Sequence, residues 1–174
     1  MNFAKFEHIS RHIDAMTDAV GRWTAWLVIL VILLLFGQLP LREVVGGGHI
    51  LANDFGQIVH AAVFMFGLSF ALRWDRHVRM DVFYRRWSAR AKAVVNLAGA
   101  LLFVLPWSAL MVWYGAPIML SSVVVAEKFP DTWSPGYFMF KVLTVVCLTL
   151  LGLQAIALVL RCTATLAGKT DAAG

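Results

Sequence analysis

The sequence predicts an all-α integral membrane protein, a single membrane domain over 1–174. It has four transmembrane helices, both termini on the cytoplasmic side and an amphipathic interfacial helix at the N-terminus. Three observations carry this reading. Of the 174 residues, 60% are hydrophobic and only 14% charged, where a soluble domain runs near half and a quarter. A soluble domain of this size leaves too much surface open to hide that apolar content. The few charges are clustered, so that four long stretches hold none, and the basic ones fall mainly on alternate connections. Low charge, the absence of a three-residue glycine period and only two cysteines exclude disordered, collagen-like and disulfide-scaffold classes.

In residues 1–22, Phe3, Phe6, Ile9, Ile13, Met16 and Val20 recur every three or four positions, with Lys5, Glu7, Arg11, Asp14 and Asp18 between them. That pattern suits a helix lying in the membrane interface; a helix packed on a partner's soluble face is the alternative. Residues 23–41 contain no Asp, Glu, Lys or Arg over 19 positions, close to the roughly 20 needed to cross a bilayer. The run is too long for a signal-peptide core and no small-x-small site follows it, so it reads as a retained span. Asp54 and Arg73 bracket the second span, 55–72. The third apolar run covers 93–126, 34 residues, which as a helix is about 51 Å against a hydrocarbon core of about 30 Å. Pro117 is expected to stop it, giving a span of 93–115 and a short apolar segment, 117–126, along the outer surface; Pro106 can add a kink. Lys141 and Arg161 bracket the fourth span, 142–160.

Orientation follows from the basic residues. Segment 1–22, the connection 73–92 and the tail after 160 hold twelve of the fifteen Lys and Arg; the other two connections hold only Arg42, Lys128 and Lys141. Four spans put the first group on one side, which the positive-inside rule makes cytoplasmic. Trp23, Trp26, Trp74 and Trp87 mark that boundary, and Trp113, Tyr114, Trp133 and Tyr137 the outer one. The net charge of +5 is thereby explained without nucleic acid.

Catalytic, cofactor and metal sites are not expected. Of His8, His12, His49, His60 and His77, only His60 lies well inside a span, and one histidine supplies at most one axial haem ligand. Cys147 and Cys162 stand about 22 Å apart along a continuous helix and cannot bond. The run Gly46 to Gly48 has no preceding strand and no following Lys-Ser/Thr, so it reads as a loop. A carrier working alone would need ionisable groups deep in its spans; Gln38, Asn96 and Gln154 lie near span ends, where amides more often join helices. The runner-up class, a membrane anchor of a redox enzyme, depends on haem ligation by His60. A small multidrug-type exporter needs a carboxylate deep in a span, and the sequence has none.

The middle connection is the most distinctive segment. Arg73, Arg76, His77, Arg79, Asp81, Arg85 and Arg86 interleave with Met80, Phe83, Tyr84 and Trp87. Two readings stand: a surface helix held by anionic lipid headgroups, or a docking element for a partner subunit, to which Asp81 adds specificity.

Gly67-Leu68-Ser69-Phe70-Ala71-Leu72-Arg73 followed by His77-Val78-Arg79-Met80-Asp81-Val82 resembles the second helix and its turn in the DctQ-type small membrane subunit of tripartite ATP-independent periplasmic transporters. Asn96-Leu97-Ala98-Gly99, Ser134-Pro135-Gly136 and Leu153-Gln154-Ala155-Ile156-Ala157 are similar to later parts of that family. The likeness runs from about residue 20 to 162, with Glu127 to Trp133 matching only loosely. The resemblance implies a bacterial inner-membrane location beside a large multi-span permease. It also implies a periplasmic solute-binding protein, an organic-acid-type solute, and sodium and solute sites on the large subunit, with the small subunit as a brace. Under that resemblance the outer residues Arg42, Glu43, Glu127, Lys128 and Asp131 are candidates to touch the binding protein. Asp54 is another, although a capping role at the start of span two is preferred.

Overall fold

The structure, a computed structural model, describes residues 3–45, 50–74, 87–130, 132 and 135–168. Its elements are helices: α1 (Phe3–Val45), α2 (Ile50–Arg73), α3 (Ala89–Gly99), a π-helical turn (Ala100–Val104), α4 (Leu105–Val124) and α5 (Phe138–Leu166). Among the described residues the nearest thing to a strand is one isolated bridge between Lys128 and Pro135. Four helical stretches are long and apolar enough to cross a membrane, at His8–Gln38, Asn53–Arg73, Ala89–Val124 and Phe138–Leu166.

Two expectations are corrected. The break between an interfacial helix and span one is absent, because α1 runs unbroken for 43 residues. Its polar positions explain the continuity. Ser10, Thr17 and Thr24 are buried, whereas Ile9, Met16, Trp23 and Trp26 are exposed. Ser10, Asp14, Thr17 and Asp18 therefore face the bundle while Ile9 and Met16 face away from it, the reverse of a helix folded onto a soluble surface.

The third run is not stopped at Pro117 either. α3, the π turn and α4 join into one helical stretch from Ala89 to Val124, with Pro117 inside it. Where water cannot compete, a helix keeps its remaining hydrogen bonds across one missing donor. Ser88 starts this stretch by accepting the Ala91 N–H on its Oγ at 3.3 Å. At the π turn the Leu105 N–H reaches back five residues to the Ala100 carbonyl, just before Pro106. The wide turn thus sits where a proline withdraws a donor.

α5 is the hub, packing against α1, α2 and the α3–α4 stretch, while α1 packs most extensively on α2. Small residues let the helices approach. A Cβ on Gly152 would lie 3.0 Å from Ser108 Oγ, so α4 crosses α5 there. Ala155 and Ala157 are fully buried, and Leu72, Leu151 and Ala155 form the core cluster. On the outward faces Leu33, Phe36, Phe103 and Trp113 are 65–77% exposed, as expected of surfaces that meet hydrocarbon rather than water.

Candidate functional site

Charged side chains gather at the two ends of the bundle. At the end formed by the start of α1 and the end of α5, Asp14 on α1 is the centre. Arg161 on α5 donates through Nη1 to both of its carboxylate oxygens, at 2.7 and 2.6 Å. Gln154 Nε2 donates to Asp14 Oδ1 at 3.0 Å, and Thr17 donates to Gln154 Oε1 at 2.9 Å. From α2, Arg73 Nε lies 3.2 Å from Asp14 Oδ1, within ion-pair range but without hydrogen-bond alignment. Arg73 Nη2 lies 3.8 Å from Asp18 Oδ2, and Trp74 Nε1 donates to Asp18 Oδ1 at 3.1 Å. Two carboxylates and two guanidinium groups thus tie α1, α2 and α5 together. Gln154 is fully buried and satisfied on both ends, as a buried amide requires.

The opposite end is closed by the connection between α4 and α5. Glu127 accepts from Ser122 at the end of α4 and from Lys141 in the first turn of α5. The Gly136 N–H donates to the Glu127 carbonyl at 3.3 Å. Gly136 has φ +140°, a conformation side chains resist, and Phe129 lies buried beside it against Tyr137 and Phe140. Thr132 donates to Asp54 Oδ2 at 2.5 Å. Asp54 is therefore not the cap of span two. α2 begins at Ile50, and Asp54, buried one turn in, pins the connection between α4 and α5 instead.

The distance between these ends is informative. Asp54 to Arg73 is nineteen helical steps and Lys141 to Arg161 twenty, or about 28 and 30 Å. That equals the thickness of a bilayer's hydrocarbon core, about 30 Å. The polar closures therefore stand about one hydrocarbon thickness apart.

The Lys141 and Ser122 hydrogen bonds hold the Glu127 carboxyl below its ordinary value of 4.5, partial burial opposing them weakly. A depressed carboxylate contributes stability in full above its unfolded value and loses it as pH falls through the folded one. The clasp should therefore hold at neutral pH and open only below 4.5. Glu127→Gln is expected to raise amide exchange at Gly136 severalfold at pH 7. The difference from the natural chain should vanish once the pH lies well under 4.5, after correction for intrinsic exchange. Equal exchange at pH 7 would show that the clasp contributes nothing.

The residues singled out in the sequence separate in the structure. Arg73 belongs to the ionic network rather than to a free surface. Arg76, His77, Arg79, Asp81, Arg85 and Arg86 lie outside the described residues, as does Asp131. Arg42 falls in α1, its side chain outside what is described, and Glu43 is exposed near the end of the same helix. Glu127 is engaged within the chain, and Lys128 is exposed.

His60 sits on the outer face of α2 with its ring against Phe64 at 4.9 Å between centroids. It does not point into the bundle, where an axial ligand would stand. Among the described residues no three His, Cys, Asp or Glu side chains converge as a metal site would need.

Asp14, Asp18 and Arg161 are the network residues that sequence reasoning missed, whereas the Gln154 amide joins helices as its position suggested. The available signal was the spacing of Ser10, Asp14, Thr17, Gly21 and Thr24, a polar and small stripe at helical period. Gln154 and Arg161 likewise stand two turns apart on one face of α5.

Four apolar helical stretches with α5 as their hub, polar closures one hydrocarbon thickness apart and apolar outer faces define a helical multi-pass membrane protein. Its family follows from sequence. The profile of tripartite ATP-independent periplasmic transporters, DctQ component, matches residues 31–165, and the chain belongs to that family. It is thus a component of a membrane transporter. The comparison with curated proteins found no match, and neither did that with solved structures.

Proposed function

We propose that the chain is the non-catalytic small permease subunit of a sodium-driven, binding-protein-dependent secondary transporter. It braces a large multi-span permease during uptake of an organic-acid-type solute, and the sodium and solute sites are on that large subunit. It lies in the bacterial inner membrane with both termini in the cytoplasm. Membrane lipids and a periplasmic solute-binding protein are its other partners.

One observation supports the bracing role above the rest. Every described Asp and Glu near a span lies at or beyond the membrane boundaries, and Asp14, Asp18, Asp54 and Glu127 are each held by another side chain. An ion-coupled carrier needs such groups near the midplane. The same charges here join helices. Orientation rests on the twelve basic residues that share a side with the termini. The Asp14–Arg161 pair supports it by bringing the start of α1 and the end of α5 to one end of the bundle.

The chain, tagged at its C-terminus and purified in mild detergent from its own membranes, should carry with it a larger multi-span protein in near-equal amount. Recovery of the chain alone, folded and monodisperse, from several detergents would overturn the proposal.

A further inference from the structure

The seam between α2 and α5 carries a groove that the bundle does not fill. Phe64, Met65 and Leu68 line one wall and Thr144, Cys147 and Leu148 the other, around about 290 Å³ of open space. No residue of α1, α3 or α4 lines it. Cys147 is committed to the floor, its thiol donating to the Met65 carbonyl at 2.8 Å. Phe64 is 68% exposed at the rim.

An apolar groove on a membrane helix is by itself equally suited to an acyl chain. The residues next to it are not. Gln57 and His60, two turns and one turn respectively towards the N-terminus from Phe64, are exposed on the same face of α2. Neither makes a hydrogen bond among the described residues, His60 having only its ring contact with Phe64. His60 stands six residues inside Asp54, about 9 Å below the outer boundary. Histidine at that depth almost always faces protein or a water-filled cavity, because hydrocarbon offers its ring nitrogens no partner. On α1 the outward face is apolar at about that depth, as at Leu33 and Phe36. Polar groups beside an unfilled apolar groove are the pattern of a helix–helix contact, in which side chains interdigitate and a hydrogen bond crosses the interface.

We propose that this groove seats a transmembrane helix of the large permease subunit, which inserts an apolar side chain between α2 and α5 and presents a hydrogen-bonding group to His60. The inference rests on the function proposed above and adds the face through which the two subunits meet. It also separates the work of the surfaces: α2 and α5 meet protein, whereas the bare outer face of α4 meets lipid.

The test is photo-crosslinking in the whole complex in native membranes, with p-benzoylphenylalanine in place of Phe64 or, as a control of similar exposure, in place of Phe103 in the π-helical turn. An adduct with the large subunit is expected at Phe64 and not at Phe103. Adducts at Phe64 with lipid alone or with a second copy of this chain would overturn the assignment, as would an equally strong adduct at both positions. In parallel, His60→Leu should lower the large subunit recovered per mole of chain by about threefold or more, the worth of one interhelical hydrogen bond. Unchanged recovery with an unchanged melting curve would instead make the face lipid-exposed. If the natural chain recovers no large subunit at all, the proposed function fails first. If it does and the Phe64 position stays silent, only the groove assignment fails.

Discussion

Asp14→Ala should be the most damaging single change outside the hydrophobic core. It removes the carboxylate that two guanidinium groups and the buried Gln154 amide share, leaving Arg161 without its counter-charge and Arg73 with only the Asp18 carboxylate at 3.8 Å. Breaking a fully buried pair costs roughly 3–5 kcal/mol. Asp14 is only 13% exposed, but Arg161 and Arg73 are 33% and 26% exposed, so water compensates part of that loss. A cost of about 2–3 kcal/mol is expected, or roughly 5–10 °C in the melting temperature of a protein this size. Thermal unfolding in detergent, followed by circular dichroism, measures it. Asp14→Asn separates charge from hydrogen bonding: it keeps an acceptor for Gln154 but not the charge, and should fall between the natural chain and the alanine variant. Exchanging the charges, Asp14→Arg with Arg161→Asp, should recover part of the loss. If Asp14→Ala melts within a degree or two of the natural chain, the network is a surface feature and does not hold α1 to the bundle.

Gly21→Leu should separate α1 from α2. A Cβ at Gly21 would lie 2.2 Å from Phe70 Cδ2 and under 3 Å from two further ring carbons, inside any van der Waals contact. Phe70 in turn packs against Trp74, whose indole N–H reaches Asp18. The ring cannot withdraw without disturbing the ionic network one turn away. Overpacking of this kind costs about 1–3 kcal/mol, with larger side chains at the upper end. Gly21→Ala should already be measurable. Phe70→Ala alone leaves a cavity, whereas Gly21→Leu with Phe70→Ala should be more stable than the sum of the single effects allows. A double-mutant cycle reads that coupling directly. Simple additivity would mean that the two residues do not meet.

The spans were legible because charge is costly in hydrocarbon, and a run without Asp, Glu, Lys or Arg therefore marks itself. Asp54, Arg73, Lys141 and Arg161 bracket the second and fourth spans in sequence and belong to the polar closures in space. What those residues bind was not legible. Asp14 and Arg161 are 147 positions apart, and no local pattern announces such a pairing. Asp14 and Asp18 instead read as the solvated face of an interfacial helix, because periodicity separates two faces of a helix without saying which is inside. In water the polar face is outside, but beside a membrane the rule inverts. The failure at Pro117 has a related origin, since breaker rules assume that water competes for the freed carbonyl. The outer clasp depended on tertiary contact as well, with Thr132 reaching Asp54 across 78 positions.

Transport in proteoliposomes tests the central claim most directly. The chain, the large subunit and the solute-binding protein would be reconstituted together and with each left out, under an inward sodium gradient, with labelled solute uptake as the readout. Uptake is expected from the complete set alone, with none from this chain by itself. Sodium-driven uptake by this chain alone, or undiminished uptake when it is omitted, would contradict a bracing subunit.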